Sequence, residues 1–155
     1  MKVNSRVFGE IDIDDEKIIN FNEGIMGFED MKNWTLIFDT TREEKKNAIS
    51  WLQCLDDPEL ALPVINPFLL TDTYNPTVED ELMKPLGDFE DEDLLILLAL
   101  SVPAGRPEDT TANFKAPFII NPNNRAGIQI VVNNDDYEIR TNVREAVEKM
   151  KAKKE

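Results

Sequence analysis

The chain has no histidine, one cysteine and six glycines among its 155 residues. Without histidine there are no Ser-His or Cys-His nucleophile pairs, no imidazole general base and no zinc site of the His or multi-Cys kind. A single cysteine, Cys54, closes no intrachain disulfide, which points to the cytosol. The glycines form neither G-x-G-x-x-G nor a P-loop, so nucleotide binding has no support. The longest unbroken apolar run, Leu94–Leu100, falls far short of the roughly 20 residues that cross a bilayer. Met1–Arg6 leads into alternation rather than an apolar block, so no signal peptide is expected. Basic residues are also scarce, 17 against 31 acidic ones for a net charge of −14. A phosphate-binding surface needs clustered Lys and Arg, so neither nucleic acid nor a membrane is an expected partner.

The charge that is present is uneven. From Arg140 to Glu155 there are six basic and three acidic residues, +3, so residues 1–139 carry −17. Glu79–Asp93 alone holds eight acids and one lysine. A body this acidic attracts a basic macromolecule and speeds its docking; it also confers plain solubility. The row Asp88-Phe89-Glu90-Asp91-Glu92-Asp93 lacks the EF-hand order and reads as a solvated loop rather than a calcium site. With so many acids, adjacent carboxylates are no evidence of glycosidic chemistry, and the chain reads as a non-enzyme that needs no cofactor.

Strand patterns dominate. Val3, Ser5 and Val7, then Ile11 and Ile13, alternate with polar residues; Trp34–Phe38 and Ile49–Cys54 show the same period of two. Leu94–Val102 is apolar on both faces, as a strand buried on both sides requires. Further strands are expected at Lys17–Phe21, Ala61–Ile65, Thr111–Ile120 with a break at Pro117, Gly127–Val132 and Tyr137–Arg140. All nine prolines lie between Pro58 and Pro122, which excludes a long helix there. Thr77 is placed to cap a short helix over Val78–Lys84. Val143, Ala146, Val147 and Met150 fall on one face of a C-terminal helix. The expected fold is all-β and mostly antiparallel, a single-domain β-barrel-like body over residues 1–140 with a helical tail at 141–155. Cys54 reads as a small core residue. In Gly24-Ile25-Met26-Gly27-Phe28-Glu29 the glycines permit a tight turn, and the large apolar side chains either plug a barrel end or anchor a partner.

Four blocks in order carry a resemblance to a known family. They are Gly24–Glu29; Trp51-Leu52-Gln53-Cys54-Leu55-Asp56-Asp57-Pro58 with Pro63-Val64 and Asn66-Pro67-Phe68; Thr111-Ala112-Asn113-Phe114-Lys115-Ala116-Pro117 with Ile119, Ile120 and Asn121; and Gln129 with Tyr137-Glu138-Ile139-Arg140. Together they resemble the FliW family of bacterial flagellar assembly factors, with Cys54 and Phe114 standing where Ser and Leu are common. The resemblance implies a compact β-barrel-like fold and a non-catalytic cytoplasmic regulator, a monomer when free. It implies two partners: CsrA, a basic RNA-binding homodimer that represses translation, and flagellin, which competes for the factor. Candidate partner-binding residues are Ile25, Met26 and Phe28, Asp56 and Asp57, and Asn113 and Lys115. The rival class is an acidic β-module that binds carbohydrate or calcium.

Overall fold

The computed structural model describes residues 1–38 and 49–154 and shows eleven strands among them. They are β1 (Lys2–Ser5), β2 (Gly9–Asp12), β3 (Ile19–Asn20), β4 (Asn33–Phe38), β5 (Ile49–Cys54), β6 (Ala61–Ile65), β7 (Leu95–Ser101), β8 (Thr111–Ala112), β9 (Phe118–Asn121), β10 (Ala126–Gln129) and β11 (Thr141–Asn142). One α-helix, α1 (Val143–Lys154), follows; Glu155 lies outside the described residues. Seven strands close a barrel in the order β3-β4-β5-β6-β7-β9-β10 and back to β3. Every ladder is antiparallel except the closing bridge, where Ala126 of β10 meets Asn20 of β3 in parallel. Closure removes the unpaired edges that an open sheet would present. β8 and β11 extend from the end of β7, and β1–β2 form a separate hairpin.

The barrel interior is packed by Ile19, Phe21, Ile25, Trp34, Leu52, Cys54, Val64, Leu97, Phe118 and Ile120. Phe21 meets both Trp34 and Phe118 edge-on, at ring-centroid distances of 6.5 and 6.3 Å. Two more apolar layers lie on the barrel's outer face. Ile119, Ile128 and Ile130 are covered by the arm of residues 76–94, which holds a seven-residue 3-10 helix at Asp80–Leu86 and buries Leu86 against them. Ile65, Leu70, Tyr74, Leu98, Leu100, Ala112 and Phe114 are covered by α1 and Tyr137. β7 therefore buries Leu97 inward and Leu98 outward, which is why Leu94–Val102 is apolar at nearly every position. Each such side chain removed from water contributes about 1.5–3 kcal/mol. Pro63, which has no N–H to donate, sits in β6 one residue before the ladder to β7 begins at Val64.

Several expected boundaries shift for identifiable reasons. β1 stops at Ser5 because the Ser5 hydroxyl accepts from the backbone N–H groups of Val7 and Phe8, which turns the chain and leaves Val7 exposed. Asp15–Lys17 form a 3-10 turn, so the strand expected from Lys17 begins at Ile19. Thr77 caps no helix: its N–H donates to Asn134 and its carbonyl accepts from Asn133, and the chain turns only at Asp80. Tyr137–Arg140 is not a strand. Tyr137 stacks on Tyr74 at 4.9 Å and its hydroxyl accepts from the Asn75 N–H, which bends the backbone and delays pairing to Thr141–Asn142. The helical stripe does dock, with Val143, Ala146 and Val147 against the Tyr74–Phe114 layer and Asn142 capping the first turn through Glu145 N–H.

Candidate partner-binding surface

The Gly24–Glu29 loop closes one side of the barrel between β3 and β4. Gly24 has φ +73°, and a Cβ there would lie 2.3 Å from the Glu29 carbonyl oxygen, so no larger residue fits. The turn Ile25–Phe28 is closed by Phe28 N–H donating to the Ile25 carbonyl at 2.6 Å. Gly27, third in that turn, has φ +88°, the positive value that a type II turn needs. Met26 N–H donates to Gln129 Oε1 at 2.9 Å and Gly27 N–H to Glu29 Oε2 at 2.6 Å, which fixes the turn to β10. The three apolar side chains then part company. Ile25 enters the core at 2% exposure, Phe28 is half-buried against it, and Met26 stands 47% exposed. A recess of about 250 Å³ beside Met26 is walled by Glu23, Glu29 and Gln129.

In the second block the polar residues are spent on the fold. Gln53 is fully buried; its Nε2 donates to the carbonyls of Cys54, Pro58 and Leu60, and its Oε1 accepts from Ser5 Oγ at 2.6 Å. That side chain ties the β1–β2 hairpin to the barrel. Asp56 is exposed, yet its carboxylate accepts from the N–H groups of Lys32 and Asn33 and from Asn33 Nδ2, at 2.9, 3.0 and 3.1 Å. Partial desolvation raises its pKa, but the hydrogen bonds from Asn33 and Lys32 together outweigh that and hold it below the usual carboxylate value. Asp57 accepts from Glu59 N–H and donates its own N–H to Cys54 Sγ. Cys54 is fully buried, and that burial pushes its thiol pKa up, away from reactivity.

The third block behaves alike. Asn113 Oδ1 accepts from the N–H groups of Lys115 and Ala116 at 3.0 Å each and so makes the turn between β8 and β9. Lys115 Nζ donates to the Asn134 carbonyl at 2.6 Å. Asn121 is buried and donates to the carbonyls of Leu86 and Asp88. Gln129 bridges Met26 N–H and the Ala116 carbonyl, so it joins the first and third blocks. The seven candidate residues lie on three turns: Ile25, Met26 and Phe28 on one, Asp56 and Asp57 on another, and Asn113 with Lys115 on a third that Gln129 links to the first. Gln53, the most heavily bonded of the motif side chains, was recognisable only as part of a block, because its Ser5 partner lies 48 residues away. Among the described residues no group of three His, Cys, Asp or Glu is placed to hold a metal, and no helix is long and apolar enough to cross a membrane.

The molecule is thus a small, acidic, closed β-barrel that presents surface side chains on rigid turns. A profile of the FliW protein family matches residues 2–143. The flagellar assembly factor FliW of Lachnospira eligens is 45% identical over 141 residues, covering 90% of this chain and 92% of its own. That of Lachnoclostridium phytofermentans is 44% identical over 155 residues, covering 100% and 97%. A crystal structure of the flagellar assembly factor FliW superposes with a TM-score of 0.81 at 28% identity, covering 92% of this chain and 96% of that one. The chain belongs to the FliW family.

Proposed function

We propose that this chain is a non-catalytic cytoplasmic regulator of flagellum assembly that binds the translational repressor CsrA and relieves repression of flagellin translation, with flagellin as the competing partner. Membership of a family whose named members are flagellar assembly factors supports the setting. The observation that carries the partner is charge: residues 1–139 carry −17 against +3 on residues 140–155, and the conspicuous motif side chains turn inward to the backbone. An acidic exterior steers a basic RNA-binding dimer into contact and, once docked, repels RNA phosphate from its neighbourhood. Rim charges contribute little each, so exposed apolar side chains such as Met26 supply most of the affinity. The partner switch makes and breaks no covalent bond. Calorimetric titration with purified CsrA, with and without flagellin, tests it. Binding to CsrA that flagellin abolishes is the expected result; no binding to CsrA overturns the reading.

A further inference from the structure

A second cavity lies away from the Met26 turn, on the barrel's outer face beneath the 76–94 arm. Its volume of about 570 Å³ falls in the range of roughly 300–1,000 Å³ typical of ligand sites. The floor is Leu94, Ile96 and Ile119, and the walls are Val78, Met83 and Phe89. Five of these six, Val78, Met83, Phe89, Leu94 and Ile96, are only partly buried, so the apolar lining is unfinished by the fold itself.

The walls are preformed. At one end the arm is pinned by Thr77, whose N–H donates to Asn134 Oδ1 at 2.7 Å and whose carbonyl accepts from Asn133. At the other, the Leu86 carbonyl accepts from Asn121 and Asn124 at 2.9 and 2.7 Å, and the Asp88 carbonyl from Asn121. Between the pins the 3-10 helix carries Met83 over the gap without closing it. A groove held open in this way spares its occupant the cost of ordering it.

The rim selects the occupant. Asp80, Asp91 and Lys84 line the mouth, and the other acids of the arm, Glu79, Glu81, Asp88, Glu90, Glu92 and Asp93, are all exposed. The one cation of the arm, Lys84, is 4.0 Å from Glu81. The apolar floor calls for side chains of Leu, Ile, Phe or Met size, and Asp80 and Asp91 at the mouth of an exposed arm that carries eight acids and one lysine call for Lys or Arg flanking them. An anionic or neutral segment meets either repulsion or uncompensated carboxylates there. We propose that this groove is a docking site for a cationic amphipathic segment of a protein partner, apolar side chains down onto Ile96 and Ile119 and basic ones out to the rim. The site stands on the cavity and its charges and does not depend on the identity of the regulated repressor.

The test uses the full chain and a fluorescein-labelled leucine–lysine peptide of about 15 residues, long enough to form an amphipathic helix. Controls are the same peptide with Glu for every Lys and a scramble that keeps the composition but not the amphipathic face. The leucine–lysine peptide is expected to bind saturably and the two controls at least about tenfold more weakly. Amide shifts on binding are expected to centre on residues 78–96 and Ile119. Asp80→Lys with Asp91→Lys, both exposed, should weaken binding at least about tenfold with an unaltered melt, and Met83→Ser should do the same from the apolar side. Equal binding of the scramble, shifts centred on the Met26 turn, or wild-type affinity in the rim double variant would each overturn the proposal. If Met83→Ser lowers the melt, the rim variant and the shift map carry the decision.

Discussion

Replacing Gln53 with Leu keeps most of its volume and removes all four of its hydrogen bonds, so it isolates what the polar end contributes. In the native fold those bonds join Ser5 Oγ to three carbonyls across the base of the hairpin, in a fully buried setting. Two of the carbonyls retain a partner, since Pro58 accepts from Arg6 N–H and Leu60 from Cys54 N–H. The cost therefore rests mainly on the Ser5 hydroxyl, on the Cys54 carbonyl and on the crowding of a methyl group against carbonyl oxygens. At about 1–3 kcal/mol for each buried polar group left unpaired, a loss of about 2–4 kcal/mol is expected. For a chain of this size that lowers Tm by about 4–16 °C. Urea unfolding followed by tryptophan fluorescence reads it, because Trp51 lies on β5 with Gln53 and Trp34 on the neighbouring β4. Ser5→Ala alone should cost less, and the double variant should cost less than the sum, since removing both partners leaves fewer groups unpaired. Below its melting temperature the Gln53→Leu protein should bind CsrA as the wild type does. A variant of wild-type stability with lost binding would refute the assignment of this block to the fold.

Met26→Asp should leave the urea midpoint nearly unchanged while weakening CsrA binding by roughly 1–3 kcal/mol; Ile25→Asp, at a buried position, should unfold the chain. Because the Asp56 carboxyl is held below its unfolded value near 3.9, its stabilising contribution is present above about pH 4 and lost as the pH falls through the lower folded value. Asp56→Ala should therefore lower stability at neutral pH and flatten the acid limb of stability against pH, and an acid limb identical to the wild type's would contradict this. Deleting residues 142–155 uncovers Leu70, Phe114 and Tyr137, so Tm should fall; an unaltered melt would mean that the α1 contacts with that layer contribute nothing.

How much of this was legible in the chain depended on the range of the interactions. Leu94–Val102 announced a strand buried on both faces, because both faces are covered and every position must be apolar. The break at Pro117 and the stripe Val143–Ala146–Val147 were equally local. Thr77 and Tyr137 misled because local pattern was outbid by distant partners, Asn134 and Tyr74, that sit nowhere near them in sequence. The Gly24–Glu29 block offered plug or anchor as alternatives, and the turn geometry sends Ile25 inward as a plug and leaves Met26 exposed. The groove under the arm was hidden by charge. Asp88–Asp93 reads as a solvated loop and Val78–Lys84 as a short helix, and only the fold brings Met83 and Phe89 over Ile96 and Ile119.

Calorimetric titration of CsrA into the full-length chain, repeated from about 0.1 to 1 M salt as the Debye length shrinks from about 10 to 3 Å, tests the central claim most directly. The expected result is saturable binding whose affinity falls steadily with salt and disappears when the chain is first saturated with flagellin. Binding indifferent to salt would contradict the electrostatic steering, and no binding at any salt would contradict the regulator itself.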